Sequence, residues 1–308
     1  MSSYRPEGLL WESAENRQGL RSLATLQDAY AQNKTLEARA VLCDNEHNLV
    51  VDLGLMRGII PRCEGAIGIE DGSTKDIAII SRVNKAVCFK VTGFGTDAGG
   101  SPIAYLSRRM AQEECRQEYL AQLRCGDIIP ARVTHLEPFG AFVDVGCGIS
   151  SLIPIDSISV SRIRHPRDRF HCGQDIFAVV RSIDVAGRIC LSHKELLGTW
   201  EDNAAYFSPG QTVAGIIRSV EDYGVFVELT PNFAGLAELK DEVYAGQHAS
   251  VYIKSLLPEK MKVKLIIVDA FEPGFYTPSC HYYITEGHID RFRYSPDSCP
   301  KLVETVFE

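Results

Sequence analysis

The chain has 308 residues, 45% of them hydrophobic, and a formal charge of −8. That length suits two or three domains rather than one small core, and the apolar content excludes a disordered chain. The net negative charge excludes a uniformly basic surface, so any affinity for nucleic acid must rest on local patches.

No apolar run is long enough for a membrane helix, and the first residues, MSSYRPEGLLWESAENRQGL, lack the apolar core and cleavage site of an export signal. The ten cysteines form no CxxC pair, which points to reduced thiols in a cytoplasmic protein. Residues 11–30 are expected to form a leading helix within an N-terminal segment, 1–34. The next stretch, 35–124, contains HNLVVDLGLMRGIIP (His47 to Pro61) and IAYLSRRMA (Ile103 to Ala111). Both echo segments further along, FGAFVDVGCGISSLIP and RICLSHKEL, and mark an eroded first copy of a repeat. SRRMAQEECRQEYLAQLR reads as a linking helix.

The middle copy, 125–208, is the clearest. Ile128 to Thr134, Phe139 to Val145, Ile149 to Ile155, Asp175 to Val185 and Arg188 to Leu191 read as five strands separated by turn residues. Between the third and fourth lies SRIRHPRDRFH, with Arg162, Arg164, His165, Arg167 and Arg169 against Asp168 alone. SHKELLGTWEDNAAYF follows, with Leu196, Trp200, Ala204 and Phe207 at helical spacing. The third copy, 209–270, repeats the first half of the second at an offset of 84, ungapped from Gly126/Gly210 through Val143/Val227, so Tyr223, Gly224 and Phe226 fall on Phe139, Gly140 and Phe142. Its end, PEKMKVKL, sets Lys260, Lys262 and Lys264 at every second position, the spacing of one strand face. The tail, 271–308, carries eight of the chain's 25 Phe and Tyr residues. It is expected to form a hairpin over YYITEGHIDRFRY packed on the third copy.

Five short strands close most economically as a small barrel, which leaves no free edge. The expected architecture is mainly β: three tandem five-stranded OB-fold barrels joined by helices, with an N-terminal helix and a β-rich C-terminal tail. The elements GDIIPARVTHLEPFGAFVDVG and GQDIFAVVRSIDVAGRICLSHKE, with the helix at Trp200, resemble the S1 RNA-binding domain family. The likeness is good over the middle copy and the first half of the third, and weak in the first. It implies a short multi-repeat bacterial homologue of the longest protein of the small ribosomal subunit. It also implies that Phe139 and Phe142, and Tyr223 and Phe226, face RNA, with Asp184 and Arg188 or Lys262 beside them. A histidine that often ends the third strand is replaced by Pro154 and Glu238. The first copy offers only His47 and Val50, so its binding face is expected to be weak or lost.

Aromatic faces suit unpaired bases, each stack contributing roughly 1–3 kcal/mol, whereas a duplex hides its bases. Gly140 is expected to let the strand bulge so that both rings share one face. Each of these residues has a plainer reading. The phenylalanines could be core, the arginine insert a solvated loop, the lysines an outer strand face, and Asp184 and Arg188 a pair closing a turn. Cys280, His281, His288 and Cys299 match no zinc-finger spacing, so no metal or cofactor is expected. No phosphate-binding loop, dinucleotide turn, HExxH or nucleophile elbow occurs, which leaves no enzyme to expect. The leading expectation is a non-enzymatic, cytoplasmic binder of single-stranded RNA, linked by the resemblance to translation or mRNA handling and with the ribosome as a candidate partner. Neither a membrane nor a small-molecule substrate is expected. The alternative is a scaffold that docks a ribosomal or other protein through its barrels and tail.

Overall fold

The computed structural model describes residues 4–272 and 280–308. They group into two compact units. The first runs through Leu123 and takes in Pro130–Arg132 and Asp144–Ser150; the second holds Arg124–Ile129, Val133–Val143 and the chain from Ser151 onward.

In the first unit two short helices replace the single leading helix expected, α1 (Ala14–Gly19) and α2 (Leu23–Ala31). The break has a local cause. The Ser22 and Thr25 side chains each accept from the other's backbone N–H, a reciprocal cap that starts a new helix. Strands β1 (Leu36–Cys43), β2 (Leu49–Asp52) and β3 (Arg57–Ile60) follow, then α3 (Ile77–Ile80), β4 (Ala86–Thr96), β5 (Pro102–Ser107) and α4 (Arg108–Glu118). The strands close a barrel in the order β1-β2-β3-β5-β4. Leu49, Val51, Ile60, Val87, Phe89 and Leu106 fill its interior. Glu7 and Arg108 are buried as a pair at 2.6 Å. The guanidinium groups of Arg108 and Arg82 hold the Glu7 carboxyl below its usual pKa although burial opposes them.

The second barrel is β6 (Ile128–Glu137), β7 (Gly140–Asp144), β8 (Ser150–Pro154), β9 (Asp175–Ile183) and β10 (Ile189–Ser192), ordered β10-β8-β7-β6-β9. After it, SHKELLGTWEDNAAYF is not one helix. A 3-10 turn at Lys194–Leu197 ends at Gly198, whose φ of 80° continues no helix, and α5 (Trp200–Ala204) starts afresh under a Thr199/Asp202 cap. Leu196 and Trp200 are buried as their spacing predicts. The third barrel is β11 (Thr212–Glu221), β12 (Gly224–Thr230), β13 (Phe233–Ala237), β14 (His248–Leu257) and β15 (Lys262–Phe271), ordered β11-β12-β13-β15-β14. All three barrels close through a parallel pair at equivalent positions: Ile59 with Tyr105, Leu152 with Cys190, and Leu236 with Lys264. Mainly-β, tandem OB-like barrels are therefore what the chain forms.

The tail departs from expectation. No hairpin spans 282–294. Instead β16 (Arg291–Arg293) pairs with β17 (Glu304–Val306). Phe292, Tyr294 and Phe307 are buried in the core that also contains Trp200 and Phe233. Tyr282 inserts beside His193, its hydroxyl 2.9 Å from the imidazole Nε2.

Candidate nucleic-acid interface

Phe139 and Tyr223 do not belong to strands. Each occupies the turn just before β7 or β12, so two-residue alternation does not govern where it points. Phe139 is 56% exposed and Tyr223 70%, while Phe142 and Phe226, inside the strands, are half-buried. The outer ring stands edge-on to the inner one in both barrels. Centroids are 5.9 Å apart at 89° for Phe139 and Phe142, and 6.1 Å at 88° for Tyr223 and Phe226. Two pairs of near-identical geometry at one sequence offset share a single local cause.

That cause is close approach at the glycine, and in the third barrel Gly224 pairs in register with Glu221, without a bulge. A Cβ on Gly140 would lie 2.5 Å from the Ile153 carbonyl oxygen, and one on Gly224 2.6 Å from that of Ala237. Only a residue without a side chain lets β7 and β12 start flush against the next strand. The bulge sits on the preceding strand, between Ile217 and Ser219 in β11 and between Ala40 and Leu42 in β1.

The cations divide unequally between the two faces. On the second barrel Arg188 is exposed but paired with Asp184 at 2.7 Å. Asp184 also accepts from the backbone N–H groups of Ala186 and Arg188, which, with the Arg188 side chain, lowers its pKa. This pair therefore closes the β9–β10 turn. On the third barrel Lys262 and Lys264 project outward between inward Val263, Leu265 and Ile267. Lys260 does not share their strand. It ends a 3-10 turn, and Met261 at φ 48° intervenes. Glu238, in the position the family resemblance gives to histidine, pairs with Lys254 at 3.5 Å.

The arginine insert is split in use. Arg169, expected to meet RNA, is 1% exposed and ion-paired to Glu228, so it cannot reach a ligand. His165 is likewise committed, its Nδ1 accepting from the Arg167 N–H to cap the 3-10 turn at Pro166. Arg162, Arg164 and Arg167 are exposed and have no ion-pair partner among the described residues. Arg162 and Arg164 lie on the third barrel's side. With Arg218, Ser219, Glu221 and the Tyr223/Phe226 pair they line a groove of about 500 Å³. A second groove, of about 520 Å³, lies on the other flank of the same rings and is lined by Lys254, Lys262 and Lys264.

Three participants escape a reading of the sequence alone. His135 is exposed and stacks on Phe142 at 6.4 Å and 30°. Its counterpart at the 84-residue offset, Ser219, pairs with Phe226 across the strands, so the repeat register could have located it. Arg218 comes from the bulge in β11, and Lys254 from β14. At the first barrel the equivalent positions hold Val50, Ile59 and Tyr105, and His47 pairs with Asp76 at 3.2 Å. Among the described residues no aromatic pair forms on that face. Among the described residues no group of three or more His, Cys, Asp or Glu is placed to hold a metal, and no helix is long and apolar enough to cross a membrane.

With this geometry established, the known relatives can be placed beside it. Residues 122–194 match the family described as S1 RNA binding domain. The chain is 28% identical over 255 residues to small ribosomal subunit protein bS1 of Staphylococcus aureus (strain COL), covering 81% of this chain and 62% of that protein. It is 30% identical over 254 residues to bS1 of Leuconostoc lactis, covering 77% and 57%. It thus spans about 60% of the length of these curated relatives. A crystal structure of a multidomain protein with nucleic acid binding domains from Streptococcus pneumoniae is similar over 77% of this chain and 74% of its own, at 14% identity and TM-score 0.25. Residues 122–194 thus belong to the S1 RNA binding domain family, within a chain of three like barrels that is similar to bS1 over most of its own length.

Proposed function

We propose that this chain is a non-enzymatic, cytoplasmic RNA-binding protein that takes single-stranded RNA on the outer walls of its second and third barrels and acts close to translation. The observation that carries the reading is the duplicated ring pair. Two exposed aromatic rings, each edge-on to a half-buried partner, recur at the same offset with open faces. A ring kept in solvent forgoes roughly 1.5–3 kcal/mol of burial, a cost that stacking on an unpaired base offsets. The names of the relatives support a setting near the ribosome.

The test is fluorescence anisotropy with a labelled single-stranded oligoribonucleotide and the matching duplex, at low salt. Preference for the single strand is expected, and Phe139→Ala with Phe142→Ala should weaken binding several-fold while the circular dichroism spectrum stays unchanged. Equal affinity for the duplex, or an unaltered double variant, would sink the stacking mechanism.

A second reading attaches to the first barrel. Its equivalent face is apolar at Val50, Ile59 and Tyr105, with Tyr105 41% exposed where the third barrel has Lys264. Such a surface suits a protein partner better than a phosphate backbone. Capture of a partner that survives nuclease treatment and is lost on Tyr105→Lys supports it; loss of the partner with nuclease alone refutes it.

A further inference from the structure

We infer that the arginine insert of the second barrel completes the binding face of the third, so that one single strand runs along a composite track centred on Tyr223 and Phe226. The inference rests on the RNA reading above and adds the path of the strand.

The insert is fastened to the third barrel rather than to the wall that carries Phe139. The Val160 N–H donates to the Asn232 side-chain oxygen at 2.9 Å, and the Ser161 N–H to the Pro231 carbonyl at 3.3 Å. Further along, Arg169 pairs with buried Glu228, and Asp168 lies 3.4 Å from Arg218. The residues that fasten the insert are therefore spent on structure. Arg162 and Arg164 are left exposed on a loop whose two ends are fixed, so little ordering entropy opposes a phosphate contact.

Charge on the two sides of the rings is complementary to a polyanion. In the groove on the insert side, Arg218 is already neutralised by Glu228 and Asp168, and Glu221 is the opposing carboxylate. That leaves Arg162 and Arg164 as its available cations. In the opposite groove Glu238 is taken up by Lys254, which leaves Lys262 and Lys264. A strand entering between the arginines can stack bases on Tyr223 and Phe226 and leave past the lysines, with cations on both sides of the stacked step. A duplex offers no free base at that step.

The full chain is tested with a fluorescein-labelled oligouridylate of ~12 nucleotides, about one barrel's footprint. Three exposed sites are altered, which spares the fold: Arg162→Ala with Arg164→Ala, Tyr223→Ala, and Phe139→Ala. Arg162→Ala with Arg164→Ala is expected to weaken binding roughly 3- to 10-fold. Combined with Tyr223→Ala, the loss should fall short of the product of the separate losses. Combined with Phe139→Ala, it should equal that product, because distant sites act independently. Parental affinity in the arginine variant overturns the inference while leaving the RNA reading intact. So does a combined loss that is multiplicative with Tyr223→Ala and sub-multiplicative with Phe139→Ala. Failure of the parent chain to bind the oligonucleotide at low salt overturns the RNA reading, and this inference with it.

Discussion

Arg162 and Arg169 stand seven positions apart in one insert, and their surroundings give them opposite work. Arg162 projects into water beside an aromatic pair, whereas Arg169 is sealed against Glu228. Burial lowers the Arg169 pKa from the usual arginine value, and the neighbouring carboxylate restores part of the loss. Replacing Arg169 with Met strands the Glu228 carboxylate with Arg218 as its remaining partner. The expected cost is about 2–3 kcal/mol of stability, less than for a buried charge left wholly alone. Denaturant unfolding of the full chain measures it, and RNA affinity of the folded fraction should be unchanged. A variant as stable as the parent but weak in binding would show that Arg169 contacts the ligand after all. Sequence could not separate the two arginines. A run of like charges reveals composition, but Glu228, which selects Arg169 for burial, lies 59 positions away.

At the scale of elements, the barrels were legible because their signals are local. Alternating β-branched residues and turn glycines placed the five strands of the second copy to within a few residues, and the 84-residue offset carried its ring pair onto the third. The linkers and tail were less legible because distant packing decides them. Trp200 and Phe207 kept helical spacing, yet Gly198 breaks the helix where the Tyr283 ring packs, at 2.6 Å from the position of a Cβ. The tail's aromatics suggested a hairpin, and three of them, Phe292, Tyr294 and Phe307, are instead buried one by one in the core that holds Trp200 and Phe233. Where the tail meets the start of the second barrel, the amides of Ile128 and Ile289 bond to Gly287 and Gly126, and His288 lies 2.7 Å from Asp127. Hydrogen bonds to Asp127 and Asp290 raise the His288 pKa above its ordinary 6.5. A base whose folded pKa is raised contributes fully below its unfolded pKa and loses that contribution as pH climbs through the folded one. At pH 6, His288→Gln should therefore speed hydrogen exchange at Ile128 and Ile289 relative to the parent. At pH 9 the two proteins should exchange alike once intrinsic rates are corrected. A difference that persists unchanged at pH 9 would assign His288 a role in packing rather than charge.

For the whole molecule, a chain of net charge −8 repels a polyanion at long range, so binding must come from contacts within about one Debye length, ~8–10 Å in ordinary buffers. Four available cations flank Tyr223 and Phe226: Arg162, Arg164, Lys262 and Lys264. If each meets one phosphate, the logarithm of the association constant should fall with the logarithm of salt concentration at a slope of about −3, from roughly 0.7 per single-strand contact. The bulk charge adds a second signature. Association should quicken as salt rises from very low concentration, because screening relieves the long-range repulsion, while dissociation quickens throughout as the local contacts weaken. Stopped-flow anisotropy with the oligouridylate separates the two rates. A slope near zero would mean that stacking alone holds the strand, and the cationic grooves would then have no part in binding. A slope of about −3 that stays the same after Arg162→Ala with Arg164→Ala would place the phosphates on other cations, since losing two contacts should reduce its magnitude by about 1.4.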